Sequence, residues 1–151
     1  MTITVRPART SDVLAIRDLV ENYAGDGPRL LRKNTVTLYE DVQEVFIAEL
    51  DGVIVGCGAL HGFWHDLGEI RTVAVSPDCK GKGIGSKIIE ALTERARVLG
   101  LTRLFCLTFE INFLLATASN QLRNHLWMPP LTRSYYSRAI KEWLNFWTWN
   151  M

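Results

Sequence analysis

Val73-Ala74-Val75-Ser76-Pro77-Asp78-Cys79-Lys80-Gly81-Lys82-Gly83-Ile84-Gly85-Ser86 runs from an apolar strand end through a glycine-rich turn into a helix, and its reading decides the fold. Glycine lets the main chain come close to a ligand with its N–H groups exposed. A helix beginning at such a turn points its positive dipole end at whatever sits there. Lys80 and Lys82 add charge of the same sign. The segment therefore makes an anion site suited to a pyrophosphate. A bare Gly-x-Gly-x-Gly is a common turn pattern and decides nothing alone. The P-loop alternative fails because no Gly-Lys-Ser/Thr follows at the required spacing. The dinucleotide fingerprint fits poorly, since no acidic residue closes a βαβ unit at the right distance.

Downstream of the turn, Lys82 to Leu99 reads as an amphipathic helix ended by Gly100, and Leu101 to Phe109 as a strand. Upstream, Gly68 to Ser76 reads as a strand with Glu69, Arg71, Val73 and Val75 on one face. Asp51-Gly52 marks a hairpin between Val45–Leu50 and Val53–Leu60. Ile3 to Arg6 is a short first strand. Thr10-Ser11-Asp12 then caps a helix whose apolar stripe is Val13, Ile16, Leu19, Val20 and Tyr23. Gly25 to Pro28 breaks it, a basic connector follows, and Thr35 to Gln43 is a second, shorter helix. Strand, two helices, hairpin, strand, glycine turn, helix, strand predicts an α/β fold with a mixed sheet flanked by helices.

Composition removes several function classes. With 48% hydrophobic and 22% charged residues the 151-residue chain is an ordinary globular protein. A net charge of +1 gives no reason to expect a nucleic-acid or anionic-membrane partner. No apolar run is long enough to span a bilayer, and no signal peptide is visible at the start. Cys57, Cys79 and Cys106 show no metal spacing, so reduced thiols, no metal and a cytoplasmic location are expected.

Placed after Glu69-Ile70-Arg71-Thr72-Val73-Ala74-Val75, the glycine turn resembles the signature of the GNAT acetyltransferases: Arg or Gln, two residues, Gly, one residue, then Gly or Ala. Gly83 and Gly85 match, and Lys80 replaces the first Arg or Gln. The resemblance implies a GNAT-type, mostly antiparallel central sheet, with acetyl-CoA as co-substrate. Its pyrophosphate would lie on Lys80, Gly81, Lys82, Gly83, Ile84, Gly85 and Ser86. Its pantetheine would run beside Val73, Ala74 and Val75, with a main-chain N–H near Val73 polarising the thioester carbonyl. The amine attacks directly, so Cys79 is read as a small loop residue.

A protonated amine must lose a proton before it attacks. Glu69 falls where several GNAT enzymes carry a catalytic glutamate; otherwise it is a strand-end carboxylate paired with Arg71. Arg71 either binds an acceptor's carboxylate or is that ion-pair partner. Arg32 and Lys33 lie in the helix–helix connector, where GNAT proteins place acceptor-binding residues, or form a plain solvated basic turn. His61 and His65 are relay candidates, more often structural or solvated. The strings 31–40, 55–61 and 66–75 look like the short, kinase-free N-acetylglutamate synthases of bacterial arginine biosynthesis. That resemblance implies L-glutamate as the acceptor. Another small amine or a protein N-terminus, or a damaged acetyl-CoA-binding domain without catalysis, are the alternatives; a homodimer is left open.

The resemblance covers residues 1–113 and stops there. All 11 glycines lie at or before Gly100, four of the five tryptophans (Trp127, Trp143, Trp147, Trp149) come after it, and Glu142 is the sole acidic residue after Glu110. Each codon can be re-read from its third base with the first two of the next. Residues 141–150 then permit Gly-Val-Ala-Glu-Phe-Leu-Asp-Leu-Glu, and residues 114–120 permit Ala-Arg-His-Gly-Phe-Lys. Both strings look like the family's continuation. The expectation is an acetyltransferase domain over 1–113 and an atypical, aromatic-rich, out-of-frame tail over 114–151, through loss of one base near Phe113–Leu114. The family's thiolate-protonating tyrosine would lie in the lost region, so Tyr135 and Tyr136 carry no role.

Overall fold

The computed structural model describes residues 2–24, 34–106 and 126–127. Arg32 and Lys33, the break at 25–28, the strand end at 107–109 and the tail expected over 114–151, apart from the main chain of 126–127, lie outside the described residues. Strands β1 (Ile3–Pro7), β2 (Val45–Leu50), β3 (Val53–Gly62), β4 (Leu67–Val75), β5 (Arg103–Cys106) and β6 (Leu126–Trp127) form one sheet in chain order. The first four are antiparallel, whereas β4–β5 and β5–β6 run parallel. The α/β class and the mixed sheet follow as expected.

Asp51 and Gly52, at φ 51° and 84°, make the two-residue turn that joins β2 to β3. Positive φ at both central positions matches the right-handed twist of the flanking strands, which is why Asp-Gly reads so clearly. Helix α1 (Val13–Ala24) buries Val13, Ile16 and Val20 against one face of the sheet. The predicted second helix is shorter than its pattern. It is α2, Thr35–Glu40, capped by Asn34, whose side chain accepts the Thr37 N–H at 2.8 Å, and a separate single turn covers Val42–Glu44. Helix α3 (Ile84–Leu99) packs Ile84, Ile88, Ile89, Leu92 and Ala96 on the opposite face. It starts two residues later than the pattern suggests, because Gly83 at φ 78° cannot continue a right-handed helix. It ends as expected. Gly100 N–H donates to Arg97 O at 3.0 Å and Leu101 N–H to Ala96 O at 2.9 Å, the paired bonds of a Schellman close.

Two further features position the site. A Cβ on Gly58 would stand 2.6 Å from Ile88 Cγ2, so glycine there lets α3 settle close on the sheet. Asp66 holds β5 against the start of β4: its carboxylate accepts from Arg103 Nε at 2.9 Å and Nη2 at 2.8 Å, while its carbonyl accepts the Thr102 and Arg103 N–H groups.

Candidate active site

The decisive irregularity lies in β4. Arg71 pairs with Ala59 and Ala74 with Cys57, so Thr72 and Val73 together face Gly58: a β-bulge. Thr72 takes φ 57°, a costly conformation for a β-branched residue, and its carbonyl accepts the Cys57 thiol at 3.4 Å. The extra residue reverses the alternation. Ile70, Val73 and Val75 pack on the α3 side, leaving Glu69 and Arg71 on the α1–α2 side. The expectation that Glu69, Arg71, Val73 and Val75 share a face is therefore corrected. A strict two-residue period cannot foresee one residue in a left-handed conformation.

Beyond the bulge the chain enters the glycine turn. Pro77–Cys79 forms a single tight turn, with Cys79 N–H donating to Ser76 O at 2.9 Å. Cys79 is buried, and Gly81 and Gly83 both stand at φ 78°. No side chain caps α3, and a Cβ at either glycine would meet nothing within 4 Å. The first-turn amides of Ile84, Gly85 and Ser86 have no acceptor within the helix by its geometry. Lys80, Lys82 and Lys87 ring this end of α3 on the surface. The junction joins open space, oriented amides and positive charge, as an anion requires. Pairing of β4 with β5 runs from Leu67↔Arg103 to Ile70↔Cys106 among the described residues, and residues 71–75 run on from that ladder toward this turn.

On the other face a polar cluster forms around Glu69, which is buried at 9% exposure. His61 is its partner in register across β3. Arg71 Nη1 lies 3.8 Å from Glu69 Oε2, and Nη2 donates to Glu44 Oε2 at 2.9 Å and to Asp41 Oδ2 at 3.4 Å. Arg71 Nε is buried without a hydrogen-bond partner, so the guanidinium keeps donor capacity. Glu44 Oε1 sits 2.7 Å from His61 Nδ1. An ionised carboxylate only accepts, so His61 Nδ1 is the donor in this contact. Of the expected residues, Glu69 and Arg71 thus meet, and they stand beside the bulge at Val73. Asp41 and Glu44 were not anticipated. Counting the hairpin register outward from Asp51-Gly52 brings residue 44 within a residue or two of His61, which was the available signal. Among the described residues no group of three or more His, Cys, Asp and Glu could hold a metal ion, and no helix is long and apolar enough to cross a membrane.

Comparison with known proteins agrees with this geometry. A family model described as "Acetyltransferase (GNAT) family" matches residues 14–114. An amino-acid acetyltransferase of Mycobacterium tuberculosis is 60% identical over 112 residues, which cover 72% of this chain and 63% of that protein. The match thus spans less than two thirds of that relative's length. Among solved structures, Rv2747 of Mycobacterium tuberculosis in complex with CoA superposes with a TM-score of 0.72 at 49% identity, over 91% of this chain and 81% of its own. The N-acetylglutamate synthase of Neisseria gonorrhoeae, complexed with coenzyme A and N-acetyl-glutamate, gives a TM-score of 0.71 at 31% identity, over 77% of this chain and 27% of that one.

Proposed function

The chain belongs to the GNAT family of acetyltransferases, and on that premise we propose that it moves an acetyl group from acetyl-CoA to the amino group of an amino acid, L-glutamate. The observation that carries the reading is the β4–α3 junction, where a bulged strand edge leads into an uncapped helix with Gly81 and Gly83 in the left-handed region. Amides from Gly81 to Ser86, with Lys80 and Lys82, bind the pyrophosphate of acetyl-CoA. The edge of Val73, Ala74 and Val75 aligns its pantetheine, and a main-chain N–H at the bulge steadies the oxyanion of the tetrahedral intermediate.

Acetyl-CoA supplies the activated acyl group. Glu69, buried and three residues before Thr72, takes a proton from the acceptor's ammonium group; the freed amine attacks the thioester, and collapse of the tetrahedral intermediate expels CoA as its thiolate. Arg71 holds an acceptor carboxylate through donors left over from Glu44 and Asp41, and Arg32 and Lys33 supply further positive charge. The likeness to a synthase solved with N-acetyl-glutamate supports glutamate as the acceptor. One observation favours a second reading. Asp41, Glu44 and Glu69 surround a single guanidinium, an excess of negative charge that suits a more cationic amine. Three free thiols fit a reducing compartment, hence the cytoplasm. A family match over residues 14–114 supports a catalytic domain within 1–113.

Release of free CoA thiol from acetyl-CoA, measured over glutamate, glutamine, other amino acids and a polyamine, tests the reading. Glutamate-dependent release is expected, stronger in a frame-restored version than in this chain. Release with polyamine alone would transfer the assignment to the second reading. CoA binding by calorimetry with no turnover in either version would leave a binding domain.

A further inference from the structure

Glu44 has no part in the chemistry described so far, yet each of its carboxylate oxygens holds one member of the site. Oε2 accepts from Arg71 Nη2 at 2.9 Å, and Oε1 meets His61 Nδ1 at 2.7 Å. Arg71 stands two residues from Glu69 on β4, and His61 faces Glu69 from β3. Three side-chain contacts and one cross-strand register pair thus connect Glu44, Arg71, Glu69 and His61. We propose that Glu44 is a positioning residue, bridging Arg71 and His61 so that they flank Glu69 in fixed orientations during proton removal from the acceptor amine. The inference rests on the reading of Glu69 as the proton acceptor.

The physical argument concerns competition for one guanidinium. At 3.8 Å from Glu69, Arg71 weakens that carboxylate as a base. Glu44, with Asp41 at 3.4 Å, draws the guanidinium the other way and prevents a full contact ion pair with Glu69. Glu44 also holds the His61 ring through Nδ1, on the strand that lies in register beside Glu69. The charged and titratable groups on the Glu69 side of the sheet among the described residues are Arg71 on its own strand, His61 on β3, and Asp41 and Glu44 from the α2–β2 connection; Cys106, on the α3 face of β5, feels the Glu69 charge through the sheet. Removing the Glu44 charge lets Arg71 close on Glu69 and withdraws one anion from the cluster. Both changes make Glu69 a weaker base.

The test compares the wild-type chain with Glu44→Gln and Glu44→Asp. In Glu44→Gln the acid limb of the kcat–pH profile is expected to move to lower pH, with kcat at pH 7 down by about tenfold. KM for glutamate rises through Arg71, and KM for acetyl-CoA stays unchanged. Glu44→Asp restores part of the loss. Independently of turnover, the ring 15N shifts of His61, assigned with His61→Gln and read at one pH, are expected to move in Glu44→Gln as the charged contact at Nδ1 is lost. A variant that loses thermal stability but keeps the His61 ring shifts, the acid limb and the glutamate KM overturns the proposal. Should the wild type release no thiol with any acceptor, the functional reading falls. The His61 ring shifts then decide the bridge alone: moved shifts support it and unmoved ones refute it.

Discussion

Arg6 lies between two carboxylates, 2.8 Å from Asp12 Oδ2 and 2.7 Å from Glu49 Oε1, and so ties β1 both to the entry of α1 and to β2. Asp12 read from sequence as part of a helix cap, and its Oδ2 does accept the Arg9 N–H at 2.8 Å. The pairing with Arg6 was not legible, because nothing in the local pattern says which strand residue reaches the cap. The hydrogen bonds from Arg6, opposed by burial, hold the Asp12 carboxyl below its ordinary value near 3.8. With the folded value depressed, this contribution to stability is complete above the unfolded value and fades as pH falls through the folded one. Asp12→Asn is expected to cost about 2 kcal/mol at pH 7. In urea unfolding its deficit against wild type should shrink below about pH 4; a deficit constant down to pH 2 would contradict the pairing. At the same scale, Glu69 was legible as a chemically useful carboxylate. Its burial, and the hold of Glu44 on the neighbouring Arg71, were not, since both depend on how separate elements meet.

Elements were legible where local chemistry forces them: the Asp51-Gly52 hairpin, the Gly100 helix end, and the apolar stripes of α1 and α3. The β4 bulge was not, and it alone moved Glu69 and Arg71 to the other face from Val73. Opposite the bulge sits Gly58, which also lies under α3. An alanine methyl there would meet Ile88 Cγ2 at 2.6 Å and Leu92 Cδ1 at 3.1 Å. The Ile88 atom sits on a stiff branched carbon, so either the helix lifts or the strand shifts. Gly58→Ala is expected to destabilise by about 1–3 kcal/mol. The same lift would move the uncapped start of α3 relative to β4, so CoA affinity measured by calorimetry should fall as well. A stable variant with unchanged CoA affinity would show that the close approach of α3 does not set the junction.

For the whole molecule, the two apolar clusters on either face of the sheet enclose the three thiols. Cys57 is fully buried, Cys106 is 4% exposed and Cys79 is 8% exposed. Their odd number and spacing predicted free cysteines, which the structure bears out, but not that all three lie inside the fold. Burial pushes Cys57 up to about 12; it does the same to Cys106, aided there by the Glu69 charge. Thiolate is the reactive form, so at pH 8 both are protonated as well as shielded. An aromatic disulfide reagent should therefore find almost no reactive thiol in the native chain and three after denaturation. Slow labelling that speeds up with urea would report opening of the sheet itself, Cys57 from the α1 face and Cys106 from the α3 face. Rapid labelling of Cys106 in an otherwise folded chain would mean that the β5 side opens independently of the rest. The same measurement calibrates the enzymatic assay, because a chain that hides its own thiols leaves CoA as the thiol that the reagent detects.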